Sequence, residues 1–236
     1  LMLAQPSDGS KQVEYQFTTV KANPITSVKN QFRSGTCWCF SSLGFLESEA
    51  IRLNNIKETT LYPDFSEMFV VSHSYQDRAE KYVRLDGKLN FGAGSECNDV
   101  LYVAKHYGLV PQGVMPGLNY GTELPVHGEL DALASAYVEV ISSNPNRVLS
   151  TAWKKGFQGI MDAYLGECPT EFTYNGVKYT PESYRDSYKI NPDDYVSLTS
   201  YTHHPFYEKF ALEISDNWRW GQDWNVPIDE FMAALD

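Results

Sequence analysis

Gln31-Phe32-Arg33-Ser34-Gly35-Thr36-Cys37-Trp38-Cys39-Phe40 is the stretch on which the reading of this chain turns. Between Asn30 and Thr36 the residues are polar and include Gly35. From Cys37 onward, Phe40, Leu43, Leu46, Ala50 and Ile51 recur at helical spacing up to Asn54-Asn55. Cys37 is therefore expected at a helix start. A thiol attacks a carbonyl only as its thiolate, and a helix N-terminus favours that form through unpaired N–H groups and the helix dipole. The same N–H groups can donate to an oxyanion on an adjacent carbonyl, and a nearby side-chain amide would complete the donor pair. Cys39, two residues on along a helix, diverges from Cys37, so the two are not expected to pair, and Cys39 is expected to face the core.

This stretch resembles the papain-family nucleophile motif, a Gln six residues ahead of a Cys-Trp-x-Phe helix start. The resemblance implies that Cys37 is the nucleophile, that Gln31 and the Cys37 N–H form the oxyanion hole, and that Trp38 walls the site. Phe65-Ser66-Glu67 resembles the Leu-Ser-Glu opening the family's second helix. Gly94-Ser95, ahead of Tyr107-Gly108, stands where the family has a Gly-Gly pair whose backbone lies along the substrate. Ser95 departs from that pattern, and its β-carbon narrows the cleft or alters backbone approach, which leaves Gly94 the safer contact. Glu96 falls where the family lines a specificity pocket, implying a preference for a basic or free-amine-bearing residue; the alternative is a solvated loop carboxylate.

Within the family, the bacterial aminopeptidase C and bleomycin hydrolase branch fits best. Ser34 replaces the extra cysteine common in secreted papains, and a long helical insertion follows Pro111. Asp193-Asp194-Tyr195-Val196-Ser197-Leu198 and Pro227-Ile228-Asp229-Glu230-Phe231 resemble later segments of that branch, so the likeness covers most of residues 24–236. Relatives of this kind are self-compartmentalising hexamers that trim peptides from the N-terminus. Peptide substrates and a homo-oligomer, hexameric by resemblance, follow as expectations. Endopeptidase action stays open.

A papain-type Cys needs a His base and an Asn that orients it, and the family places both downstream of Asp236. The expectation is a fragment or the first chain of a cleaved enzyme, with a C-terminal segment or second chain supplying them. His73, His106 and His127 fall on or beside helices and read as structural. His203-His204 could be a base or metal ligands, but no Cys or carboxylate stands beside the pair at metal-ligand spacing. Cys37, Cys39, Cys97 and Cys168 contain no Cys-x-x-Cys pair, so neither a metal nor a cofactor is expected. The competing functional class is a papain-like scaffold that binds peptides or partners without cutting them.

The 236 residues, 42% hydrophobic and 14% aromatic, suffice to bury a core. With 19 basic and 30 acidic residues the formal net charge is -11, which repels phosphate backbones and argues against nucleic acid as a partner. No apolar run of about 20 residues is present to span a membrane as a helix. Leu1-Met2-Leu3-Ala4-Gln5 reads as the tail of a secretory signal, giving a periplasmic or secreted setting, or as a frayed terminus, with cytoplasmic as the alternative.

The expected fold is α+β and papain-like. Residues 1–23 form a leading segment, 24–111 the helical half with Cys37, 112–192 an inserted helical region with a hairpin, and 193–236 the start of a sheet-rich half. Residues 12–28 alternate like an extended segment or edge strand. Helices are expected from Asp64 or Ser66 toward Tyr82, from Asp99 to Tyr107, twice between Leu124 and Glu167 with Ser150 capping the second, and from Thr180-Pro181. Asn175-Gly176 marks a two-residue hairpin. Tyr195–Tyr201 and Phe210–Ser215 read as strands, and the helix opening at Pro227 resembles one cut short.

Overall fold

In the computed structural model, residues 15–235 are described; Leu1–Gln5 and the beginning of the alternating segment lie outside them. Helix α1 (Cys37–Asn54) begins at the expected cysteine and ends where Asn55 turns left-handed at φ 52°. Leu43, Leu46, Ala50 and Ile51 form its buried stripe. Helix α2 (Glu67–Arg84) is capped by Ser66, whose Oγ accepts from the Phe69 N–H at 3.1 Å. Met68, Phe69, Val70 and Val71 are all buried, because α2 is the central rod that the other large helices pack around.

Helix α3 (Cys97–His106) starts two residues before the expected Asp99, since Asp99 Oδ2 accepts from the Glu96 N–H and so belongs to the first turn. Gly108 at φ +84° ends this region; a Cβ there would lie 2.2 Å from the Pro181 carbonyl carbon. That close approach lets the Leu109 N–H donate to Pro181 O at 3.0 Å. Helices α4 (Gly128–Ser142) and α5 (Trp153–Leu165) pack against α2 and each other through Leu130, Ala134 and Val138 on one side and Phe157, Met161 and Leu165 on the other. The α5 cap position is Ala152 rather than Ser150.

Strands β1 (Phe172–Tyr174) and β2 (Val177–Tyr179) form the expected hairpin, with Asn175 and Gly176 both at positive φ (49° and 79°) as a type I′ turn requires. Thr180 caps α6 (Pro181–Ser187). The Tyr184 ring then sits among Phe65, Phe172, Tyr174, Tyr179 and Tyr188 at centroid distances of 5.3–6.1 Å, joining hairpin and helix to the start of α2. One apolar cluster runs from Trp38 to Ile190, through the nucleophile helix and the insertion alike.

Beyond it lies a three-stranded sheet in the order β3-β5-β4: β3 (Leu198–Thr199), β4 (Lys209–Ala211) and β5 (Gln222–Asn225), with β3 parallel and β4 antiparallel to the central strand. The two expected strands shrink to these short ladders. Central β5 has no apolar pattern in Gln222-Asp223-Trp224-Asn225, and its buried residue is the polar Asn225. Helix α7 (Ile228–Leu235) has no buried residue. Residues 15–28 form no strand, and Tyr15, Phe17, Val20 and Val28 are exposed; alternation without a ladder partner does not make a strand. None of the described helices is long and apolar enough to cross a membrane.

Candidate active site

Cys37 is the first residue of α1 and its thiol is exposed. Thr36 O accepts from the Cys39 and Phe40 N–H groups at 2.9 and 3.2 Å, which closes the first turn. The Thr36 side chain makes no capping bond and the turn contains no acidic residue. The N-terminal partial charge of α1 is thus left uncompensated beside the sulfur, where it can stabilise an oxyanion on an adjacent carbonyl.

The loop carrying half-buried Gln31 is held from several sides. Ser34 Oγ donates to Gln31 O at 2.9 Å, the Phe32 N–H donates to Asn30 Oδ1 at 2.9 Å, and Phe32 adopts φ +47°. Gly35, at φ +66°, brings the chain so close to Ala93 that a Cβ would lie 2.7 Å from the alanine methyl. An isolated parallel bridge pairs Arg33 with Val126: the Arg33 N–H donates to Pro125 O at 3.0 Å and the His127 N–H to Arg33 O at 3.1 Å. Trp38, buried, donates its indole N–H to Ala93 O at 2.9 Å and so ties the nucleophile helix to the loop bearing Gly94.

That second loop is built around Arg78. Its guanidinium, 1% exposed, donates to the carbonyls of Asn90 (2.8 Å), Gly92 (2.8 Å) and Gly94 (2.5 Å), and burial pulls its pKa down to about 10. Ser95, 9% exposed, donates to Asp99 Oδ2 at 2.5 Å and accepts from the Trp218 indole at 2.7 Å, so its hydroxyl is committed internally. A Cβ on Gly94 would lie 2.4 Å from Asp216 Oδ2, which places residues 216–219 over this loop. Arg219 donates to Asp99 Oδ1 at 2.6 Å and to Asp77 Oδ2 at 3.0 Å. Half-buried Glu96 has its pKa raised by burial and by Asp223, Asp216 and Asp99. Beside it a groove of about 290 Å³ opens between α1 and α3, lined by Ser41, Phe45, Cys97, Leu101 and Tyr195 among others.

Arg78, Asp216, Trp218 and Arg219 escaped the sequence reading. One signal existed: Arg78 stands in the apolar series Val71, Tyr75, Ala79 of α2, where a charge must find buried partners. Beneath the nucleophile helix, Lys29 Nζ meets Glu47, Glu67 and Asp64 at 2.8, 2.8 and 2.7 Å. Burial works against its charge, but Glu67 and Glu47 outweigh it and hold its pKa above the ordinary value. Cys39 is fully buried as expected, and burial pushes its thiol well above the ordinary range.

Each of the five histidines has a packing place of its own. His73 lies against Tyr107 and Phe69 at 4.1 and 4.6 Å, and His106 beside Tyr102 at 4.2 Å. His127 is fully buried with neither ring nitrogen partnered. Burial takes both His73 and His127 down to about 4. His203 and His204 meet Glu213, at 3.3 and 2.6 Å. A carboxylate therefore does stand beside the pair, contrary to the sequence reading, because β4 and its exit bring Glu213 back to the loop. All four cysteines are free.

No family model matches the chain. In sequence it is similar to aminopeptidase G of Lactobacillus delbrueckii subsp. lactis, 24% identical over 246 residues, covering 87% of this chain and 55% of that protein. It is also similar to the KDEL-tailed cysteine endopeptidase CEP2 of Arabidopsis thaliana, 24% identical over 199 residues, covering 73% of this chain and 50% of that protein. The chain thus spans about half the length of the curated relatives it matches. In structure it is similar to PepW of Lactobacillus rhamnosis, with a TM-score of 0.70 at 19% identity over 92% of this chain and 57% of that one, which shows a shared fold. Taken with the motif around Cys37, these likenesses support the resemblance to papain-like cysteine peptidases of the bleomycin hydrolase and aminopeptidase C branch.

Proposed function

We propose that this chain carries the nucleophile side of a thiol peptidase that trims peptides from the N-terminus. Cys37 Sγ, as thiolate, attacks the carbonyl carbon of the scissile amide, and the Cys37 N–H and the Gln31 side-chain amide stabilise the oxyanion that forms. Collapse expels the amine, which takes its proton from a histidine, and water then hydrolyses the thioester. That histidine and its orienting Asn come from a C-terminal segment or a second chain, in an assembly that is a homo-oligomer, hexameric by resemblance. Trp38 walls the cleft, with the backbone of Gly94 and Ser95 along the substrate. Glu96, with Asp216 and Asp223 near it, favours a substrate with a basic side chain or a free amine. Aminopeptidase action accords with the name of the bacterial relative; the plant relative is named an endopeptidase.

The observation that carries this reading is the exposed Cys37 thiol at a helix N-terminus without a side-chain cap or an acidic first turn. The test is to treat the complete protein with an irreversible thiol-directed peptidase inhibitor and to follow hydrolysis of an aminoacyl arylamide. Labelling should map to Cys37, and Cys37→Ala should abolish turnover. A Cys37 that stays inert in the complete protein would instead mark a non-cutting scaffold.

A further inference from the structure

His203, His204 and Glu213 belong to no part of the proposed peptide chemistry, yet their donor atoms converge. His203 Nε2 lies 3.3 Å from Glu213 Oε2 and His204 Nε2 lies 2.6 Å from Glu213 Oε1, and all three donors fall within 4.8 Å of one another. Zinc binds His nitrogen and carboxylate oxygen at about 2.0–2.2 Å, so neighbouring ligands of a tetrahedral ion are roughly 3.3–3.6 Å apart. The His203 separation matches that edge; the His204 separation is to the other carboxylate oxygen, so binding needs an opening there of less than about 1 Å and a turn of the Glu213 carboxylate that brings one oxygen to both rings.

The frame behind the donors is already set. Asn225, fully buried on β5, donates through Nδ2 to the carbonyls of Tyr201, His204 and Pro205 at 2.8, 3.0 and 3.1 Å, and its Oδ1 accepts from the Tyr201 N–H at 2.8 Å. These bonds fix the backbone on which the two imidazoles stand. The His204 ring stacks on Phe210 of β4 at 4.0 Å, and His203 lies edge-on to the same ring at 5.8 Å. Glu213 follows β4 by two residues, so the antiparallel β4–β5 ladder sets its position too.

We infer that His203, His204 and Glu213 form a binding site for one divalent transition-metal ion of the zinc class. Two imidazoles and a carboxylate are borderline donors that suit zinc, nickel or copper rather than calcium or magnesium, and the exposed side leaves a fourth position for water. The bound ion would clip the 201–205 loop to the sheet, a role separate from Cys37.

Zinc titration of the full chain by calorimetry tests this, with the exposed thiols of Cys37 and Cys97 first blocked by iodoacetamide so that they cannot ligate. The expected result is one zinc ion per chain at micromolar affinity, with His203→Gln, His204→Gln and Glu213→Gln each weakening binding at least tenfold. All three side chains lie at the surface, and unchanged circular dichroism will show that the variants fold. Absence of saturable binding overturns the site, and so does any one of the three variants binding like the parent.

Discussion

The helical body and the terminal sheet hold themselves together by different means. From Trp38 to Ile190 the body is fixed by apolar burial, with Leu43, Phe69, Val103, Leu130 and Phe157 at 2% exposure or less. In the sheet region the strands are two to four residues long, α7 buries nothing, and two buried asparagines do much of the organising. Asn225 gathers the 201–205 loop. Asn217 does the same for its own turn, donating to Leu212 O and Gly221 O at 3.0 Å each and accepting from the Gly221 N–H at 2.8 Å. Burial is non-directional and tolerates repacking, whereas an amide that satisfies four backbone groups specifies one loop conformation.

This contrast can be broken at measurable points. Phe69→Ala in α2 should cost the most, about 3–5 kcal/mol, read from the denaturant midpoint. Next comes acid sensitivity inside the body. The folded-state pKa values of His73 and His127 lie near 4, below the ordinary 6.5, so the unfolded chain binds more protons between those values. Their stabilisation is present at neutral pH and is lost as pH falls from 6.5 through about 4. Asp131, raised to about 6 by burial, works the other way, its stabilisation being full below about 4 and lost as pH rises through 6. His127→Leu should therefore lose about 2 kcal/mol less than the parent between pH 7 and about 4.5, and unfolding midpoints at both pH values would check it. An unchanged difference would mean that the imidazole is not buried neutral.

In the sheet, Asn225→Ala should cost about 1–3 kcal/mol and raise amide exchange across 201–205, since it orphans carbonyls rather than opening an apolar void. Smallest of all, Met232→Ser on α7 should change stability by no more than about 0.5 kcal/mol, because Met232 is 53% exposed. A larger loss would show that α7 is packed in solution.

The same division decides what could be read beforehand. Helix α1, its cysteine, the Ser66 cap and the Asn175-Gly176 turn were legible because local chemistry alone specifies them. Strand β5 was not, since its residues carry no period-2 apolar pattern and its place depends on two partners distant in sequence. Residues 15–28 show the converse, a strand-like pattern without a ladder, which leaves the extended-segment alternative and not the edge strand. In the site, Gln31 lies on the loop that leads into the helix begun by Cys37 and Trp38. The acidic surroundings of Glu96 and the carboxylate beside His203-His204 come from segments that only the fold brings back. Glu47 had a faint signal, a charge between Leu43, Leu46 and Ala50 on the buried stripe of α1 that requires Lys29.

The bridge between Arg33 and Val126 has an engineering consequence. Any attempt to whittle this protein to a minimal scaffold by excising the residues after Pro111 would remove the rail against which the glutamine-bearing loop is set. The sulfur would survive such surgery with its helix, but the alignment of the neighbouring amide would have to be rebuilt from some other wall.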